Sequence, residues 1–152
     1  MHLKNYRNLF FINPLNPIIM AEKKNQLLKI TLALYALVSL YYGIIYLFFP
    51  GFEIENAGGE PIPEGWIRWF GPVLLALSFG SMMMLRNPAK QGIFVLSLCI
   101  GCFLVALTLY YELIFGGREG FNLLTTLIPA IVLTIIAILF GFSLRQSKEI
   151  LW

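Results

Sequence analysis

Charged side chains are scarce in this sequence. Lysine, arginine and glutamate together make up 12% of the 152 residues, and aspartate is missing altogether. A soluble globular domain usually carries about 25% charged residues, so the chain is not an ordinary water-soluble fold. Its net charge is only +3, and its basic residues do not form one exposed basic face, so we expect no nucleic-acid partner.

Metal-binding and redox side chains are also few. His2 is the single histidine, so the clustered ligands that metal sites need are missing. Cys99 and Cys102 form a C-x-x-C pattern, which four-helix membrane oxidoreductases place beside a quinone. Here the pair falls in the middle of an apolar run, and the sequence has no further cysteine to relay electrons. We therefore expect neither a metal nor another cofactor, and an enzymatic role is less expected than a binding role.

Long apolar runs dominate the rest of the chain. Four of them are about 20 residues or longer, enough to cross a hydrocarbon core of about 30 Å as helices: residues 27–49, 66–85, 92–115 and 121–144. Proline and glycine mark the short links between them, and short links are expected to make consecutive helices antiparallel neighbours. The pattern predicts an all-α membrane protein, an antiparallel four-helix transmembrane bundle.

The basic residues predict how the bundle is oriented. Nine of the 11 lysine and arginine residues precede the first run or lie in its first turn, lie in the second link, or follow the fourth run. Short loops rich in these residues stay in the cytoplasm, so both termini should be cytoplasmic. The first link is instead acidic, carrying Glu53, Glu55, Glu60 and Glu64, and we expect it to be a solvated outer loop.

The segments outside the bundle are residues 1–26 and 145–152, which we expect to be a cytoplasmic N-terminal segment and a cytoplasmic tail. Residues 1–19 contain no signal-peptide core with a cleavage site. Met20 opens a sequence that reads like an ordinary bacterial start before a membrane helix. Residues 1–19 are therefore either an upstream start-site artefact or an amphipathic segment on the membrane surface.

Small and polar residues predict which helix faces turn inward. Membrane helices pack through small residues and polar contacts, and each run has one small pair: Ser39 with Gly43, Ala76 with Gly80, Ser97 with Gly101, and Ala137 with Gly141. At about 100° per residue, two stripes emerge. The first run carries Thr31, Tyr35, Ser39, Tyr42 and Tyr46, and the third carries Ser97, Gly101, Thr108 and Glu112. We expect the two stripes to face each other or a common interior.

Two charged residues lie inside the apolar runs, about one turn from the predicted outer boundary. They are Arg68 in the second run and Glu112 in the third. Charges inside a membrane turn inward and pair, so we expect an ion pair between them. Pro72 and Pro129 each free a backbone carbonyl nearby. The result would be an outward-facing polar and aromatic pocket formed by Arg68, Glu112, Tyr42, Tyr46, Thr108, Asn122 and Thr126. Alternatively, the ion pair only locks two helices together.

A family resemblance rests on three short motifs in residues 67–115. Arg68, Trp69, Phe70 and Gly71 open the second run, a small-residue-rich middle follows, and Arg86, Asn87, Pro88 and Ala89 precede the third run. In these motifs the chain resembles the DoxX-like group of small four-helix bacterial membrane proteins, many of which have no assigned function. The resemblance implies an antiparallel four-helix bundle in the bacterial cytoplasmic membrane. Some members are linked to respiratory or redox assemblies, but no residue match carries that link to this chain.

The sequence is compatible with two functions. In the first, the protein is a non-enzymatic module that binds a lipid, a quinone or a small amphiphile in the pocket, or serves as a membrane subunit. In the second, it is a small proton-coupled transporter that uses Glu112, which would then have to titrate freely rather than pair with Arg68. We favour the first. Membrane lipids are expected partners, and a homodimer or a larger membrane complex stays open.

Overall fold

The computed structural model describes residues 15–58, 62–116 and 122–152, with side chains described from residue 26 onward. The prediction that residues 1–19 are a start-site artefact or a surface segment falls on residues whose side chains are not described. Glu60 of the acidic first link also lies outside the described residues. The described residues form six helices and no strand: α1 (Leu15–Phe48), α2 (Pro50–Ala57), α3 (Glu64–Arg86), α4 (Gly92–Phe115), α5 (Leu123–Gln146) and α6 (Lys148–Leu151).

Four of these helices are long and apolar enough to cross a membrane, as the apolar runs predict. The spans are Gln26–Phe48, Glu64–Arg86, Gly92–Phe115 and Leu123–Gln146. At about 1.5 Å per residue, each exceeds a hydrocarbon core of about 30 Å. For the described residues, the prediction of an all-helical chain with four helices long and apolar enough to span a membrane is confirmed.

Local sequence signals account for several helix ends. Pro50 occupies the first turn of α2, where its missing N–H would have no helical partner. Asn122 caps α5, because its side chain accepts a hydrogen bond of 3.1 Å from the Leu124 N–H. α3 ends at Arg86, just before Asn87 and Pro88, since the residue before a proline disfavours helical backbone.

The long helices pack in the order α3, α1, α5, α4. α1 lies against both α3 and α5, and α4 lies against α5. α3 and α4 do not pack along their lengths, although only residues 87–91 separate them in the chain. The expectation that short links make all consecutive helices packed neighbours is wrong here, because a short link joins two helix ends without forcing the helices to stay together.

Glycine allows α1 and α3 to approach closely. A Cβ atom on Gly71 would lie 2.8 Å from the backbone nitrogen of Leu47, and one on Gly43 would lie 2.9 Å from Cγ of Leu75. Both glycines are buried. Close approach at small residues is how membrane helices associate without a hydrophobic driving force, so these two glycines explain why α3 packs on α1.

The predicted small pairs are only partly at interfaces. Gly43 contacts α3, and a Cβ on Gly80 would lie 3.1 Å from the ring of Phe94 on α4. A Cβ on Gly101 or Gly141, however, would meet nothing within 4 Å. On α5 the prediction holds for Ala137, which is buried in the core, but not for Gly141. On α4 the prediction is wrong, because larger side chains such as Cys102 fill the interface instead.

Polar and aromatic contacts join α1 to its neighbours. The buried Ser78 hydroxyl of α3 donates a 2.8 Å hydrogen bond to the Ala36 carbonyl of α1. Toward α5, the hydroxyls of Thr31 and Ser143 are 3.3 Å apart. Thr31 lies near the start of the first span and Ser143 near the end of the fourth. The start of the first span and the end of the fourth therefore lie at the same end of the bundle.

The last residues of the chain pack against this same end. The Lys90 N–H donates a 3.0 Å hydrogen bond to the Ile150 carbonyl, and Leu151 is buried in the core. The Trp152 ring lies so close to Gly92 that a Cβ there would be 2.7 Å from it. Residues 148–152 thus cover the link between α3 and α4. We call this the α6 end and the opposite one the α2 end.

Candidate functional site

A cavity of about 840 Å³ lies between the long helices and reaches toward the α2 end. α3 and α4 meet near Gly80 and Phe94 and do not pack further along, which leaves space between them. The walls are mainly apolar and come from all four long helices and α2. Representative wall residues are Val38, Leu74, Leu77, Val105, Leu109 and Val132.

The polar groups of the cavity gather near its α2 end. Tyr42 and Tyr46 come from α1, and their rings meet edge to face with centroids 5.7 Å apart. Glu53 comes from α2, and its carboxyl is close enough to both phenol groups to interact with them electrostatically. All three residues line the cavity, which therefore has an apolar body and one polar end.

These three polar groups are partly buried, yet none of them forms a hydrogen bond or ion pair with the residues that the structure describes. A buried donor or acceptor left without a partner costs about 1–3 kcal/mol, so such groups normally meet protein, water or ligand. Tyr42, Tyr46 and Glu53 are therefore available to the polar part of a molecule in the cavity.

Burial raises the pKa of the Glu53 carboxyl above its ordinary value of 4.5, because the charged form loses hydration. The folded protein then holds this proton more tightly than the unfolded chain does. The contribution of Glu53 to the free energy of unfolding is therefore largest below pH 4.5, falls as the pH rises through the raised pKa, and stays lower above it.

Glu53→Gln should consequently raise the thermal unfolding temperature near neutral pH, because glutamine resembles the protonated acid. The gain should shrink as the pH is lowered below 4.5, where the wild-type carboxyl is itself protonated. Unfolding scans in detergent across this range would measure it. Glu55→Gln is the matched control, since Glu55 lies on the same helix and is exposed. An equal gain in both variants would contradict the burial of Glu53.

The structure brings only some of the predicted site residues together. Tyr42, Tyr46 and Thr126 all line the cavity. Arg68, Thr108, Glu112 and Asn122 are not part of its lining. The aromatic side of the predicted pocket is therefore found on α1, and Thr126 on α5 faces it as well.

The predicted ion pair between Arg68 and Glu112 is wrong. Arg68 instead pairs with Glu64, one turn earlier on α3, at 2.8 Å between Nη2 and Oε2. Both side chains are about half exposed, at 53% and 52%. The physical reason is the helix order: α3 and α4 do not pack together, so Arg68 finds the carboxylate on its own helix, while Glu112 on α4 is half-buried elsewhere.

The predicted polar stripe of α4 reaches the interior only in part, because Gly101 lines the cavity whereas Thr108 and Glu112 are outside its lining. Ser97 and Thr108 are exposed, and each hydroxyl donates to the carbonyl four residues earlier, at 2.9 Å and 3.0 Å. This local bond satisfies the hydroxyl without a neighbouring helix. The stripe of α1, by contrast, does turn inward: Thr31, Tyr35 and Ser39 are buried.

The sequence does not identify Glu53 as a cavity residue, because the acidic first link is also typical of a solvated loop. A sequence signal for a helix in this link is Pro50, because proline favours the first turn of a helix. The eight-residue helix α2 does begin at Pro50. Ile54 and Ala57 also line the cavity, so one face of α2 turns toward it. The Asn122 N–H donates a 2.9 Å hydrogen bond to the Ala57 carbonyl and ties α2 to the start of α5.

The two cysteine thiols lie in different places, one at the cavity wall and one at the contact between α4 and α5. Cys102 is buried and lines the cavity, while the Cys99 thiol donates to the Ala137 carbonyl at 3.5 Å. Both are free cysteines. Within the residues that the structure describes, no group of three or more histidine, cysteine, aspartate or glutamate side chains could hold a metal ion.

No protein-family model, curated protein or solved structure matches the chain. The resemblance to the DoxX-like group therefore stays a prediction from its short motifs, and the function has to be argued from the cavity itself.

Proposed function

We propose that this protein is an integral membrane protein that binds a small amphiphile in the cavity between α3 and α4. The observation that carries the proposal is the shape and polarity of the cavity: about 840 Å³, apolar along its walls, with Tyr42, Tyr46 and Glu53 at one end. Sites for small molecules typically have about 300–1,000 Å³ and a few polar groups on an otherwise apolar wall.

The proposed ligand has an apolar body and a single polar head. A lipid-like chain or a quinone tail would lie along residues such as Leu74 and Val105, and the head would lie beside the tyrosines and Glu53. Because the surrounding helices are apolar enough to span a membrane, the ligand can enter from the bilayer itself. No covalent chemistry is needed, so we propose binding rather than an enzymatic reaction.

The orientation completes the proposal. The α6 end carries Lys90, Arg145 and Lys148, and we propose on the positive-inside rule that this end faces the cytoplasm. The polar end of the cavity would then lie in the outer half of a bacterial cytoplasmic membrane, covered by α2. Membrane lipids would contact the exposed apolar faces, and association with a second copy stays a prediction.

Transport coupled to Glu112 gains no support from the geometry. Glu112 is outside the cavity lining, and the carboxyl that faces the cavity is that of Glu53. Proton coupling through Glu112 would need it beside the transported molecule, so binding is the better supported function.

Photolabelling tests the proposal. A decanol carrying a diazirine in its chain would be added to the protein in phosphatidylcholine nanodiscs, irradiated, and the labelled positions mapped by mass spectrometry. We expect label at half-buried cavity residues such as Leu74 and Leu109 to exceed label at Ile138, an exposed position on α5. Label at exposed positions alone would contradict the proposal.

A further inference from the structure

The polar end of the cavity contains a carboxylate, Glu53, that has no positive partner among the residues that the structure describes. Glu53 is the acidic residue of the lining, and no lysine or arginine of the described residues lines the cavity. Arg68, which lies toward the same end on α3, is already paired with Glu64 at 2.8 Å. An unpaired carboxylate in a partly buried site is costly, and a cation beside it offsets that cost.

The tyrosine rings add a second feature that favours positive charge. The faces of aromatic rings are negative and attract ammonium groups within about 6 Å. The rings of Tyr42 and Tyr46 meet edge to face with centroids 5.7 Å apart. Both residues line the cavity, so their ring faces point in different directions at its polar end. Their phenol oxygens can also accept hydrogen bonds from an amine.

We infer that the amphiphile held in this cavity has a cationic head, an alkylamine or a quaternary ammonium, which lies between Glu53 and the rings of Tyr42 and Tyr46. This inference rests on the proposed function, because it names the head group of a ligand that the cavity must first bind. An anionic head would be repelled by Glu53, and a neutral head would leave the carboxylate without a counter-charge.

Three photoreactive probes with the same decyl chain separate these cases: one with a trimethylammonium head, one with a hydroxyl head and one with a sulfonate head. In phosphatidylcholine nanodiscs, label at Leu109, a half-buried residue of the cavity wall, is divided by label at the exposed Ile138, so that each probe is corrected for its own concentration in the membrane. We expect this ratio to be roughly tenfold higher for the ammonium probe than for the alcohol, and lowest for the sulfonate.

Variants at Glu53 test the charge directly. Glu53→Gln should lower the ammonium ratio to that of the alcohol, Glu53→Asp should keep the preference, and Glu55→Gln should leave it unchanged because Glu55 is exposed and outside the lining. If a Glu53 variant does not fold, the comparison of the three probes on the wild-type protein still decides.

The possible failures are distinguishable. Equal cavity ratios for the ammonium and alcohol probes, or a higher ratio for the sulfonate, would overturn the cationic head while leaving amphiphile binding in place. Ratios that never favour Leu109 over Ile138 for any probe would overturn amphiphile binding itself.

Discussion

Replacing Gly71 by leucine should lower the thermal unfolding temperature of the protein by several degrees. A Cβ atom at this position would lie 2.8 Å from the Leu47 nitrogen and 3.0 Å from its Cα. These are backbone atoms, so they cannot rotate away as a flexible side chain would, and α1 and α3 must separate. Overpacking of this kind typically costs about 1–3 kcal/mol. Circular dichroism during heating in detergent would measure the change.

Gly141→Leu is the matched control for this experiment. Gly141 also lies within a membrane helix, but it is exposed and a Cβ there would meet nothing within 4 Å. Leucine favours helix more than glycine does, so this variant should be as stable as the wild type or slightly more stable. A similar loss in both variants would show that Gly71 does not mark a close approach of α1 and α3.

Replacing Gly101 by phenylalanine should remove most amphiphile binding while leaving the fold intact. Gly101 lines the cavity, and a Cβ there would meet nothing within 4 Å. The ring can therefore enter the cavity without displacing a helix and would occupy space needed by the ligand. We expect cavity labelling by the decanol probe to fall roughly tenfold, equivalent to about 1.4 kcal/mol of binding free energy.

Gly141→Phe provides the corresponding control, because it adds the same ring to a helix at an exposed position outside the cavity. Labelling of Leu74 and Val105 should stay at the wild-type level. If Gly101→Phe folds normally and labels as strongly as Gly141→Phe, the labelled molecules do not occupy the cavity between α3 and α4.

The spans and the inward face of α1 could be predicted because they depend on local pattern. Apolar runs of sufficient length define membrane helices, and the spacing of Thr31, Tyr35 and Ser39 follows the helical period. The same period placed Tyr42 and Tyr46 correctly toward the cavity. These features require no knowledge of which helices are neighbours.

The partners of each helix could not be predicted in the same way. The expected Arg68 and Glu112 pair assumed that α3 and α4 pack together, whereas the close approach at Gly71 places α3 on α1. Small pairs occur on all four spans, and pattern alone does not tell which glycine meets backbone. Glu53 was missed for a related reason: its role depends on α2 folding over the end of the bundle, and its acidic sequence is also typical of a solvated loop.

The most direct test of amphiphile binding is to locate a bound chain. The protein would be crystallised from a lipid phase containing dodecanol with bromine at the chain terminus, and the bromine would be located by its anomalous scattering. We expect a bromine peak between α3 and α4, in contact with the walls that include Leu74 and Val105. Bromine found only against exposed faces, such as that of Ile138 on α5, would contradict a binding cavity at this place.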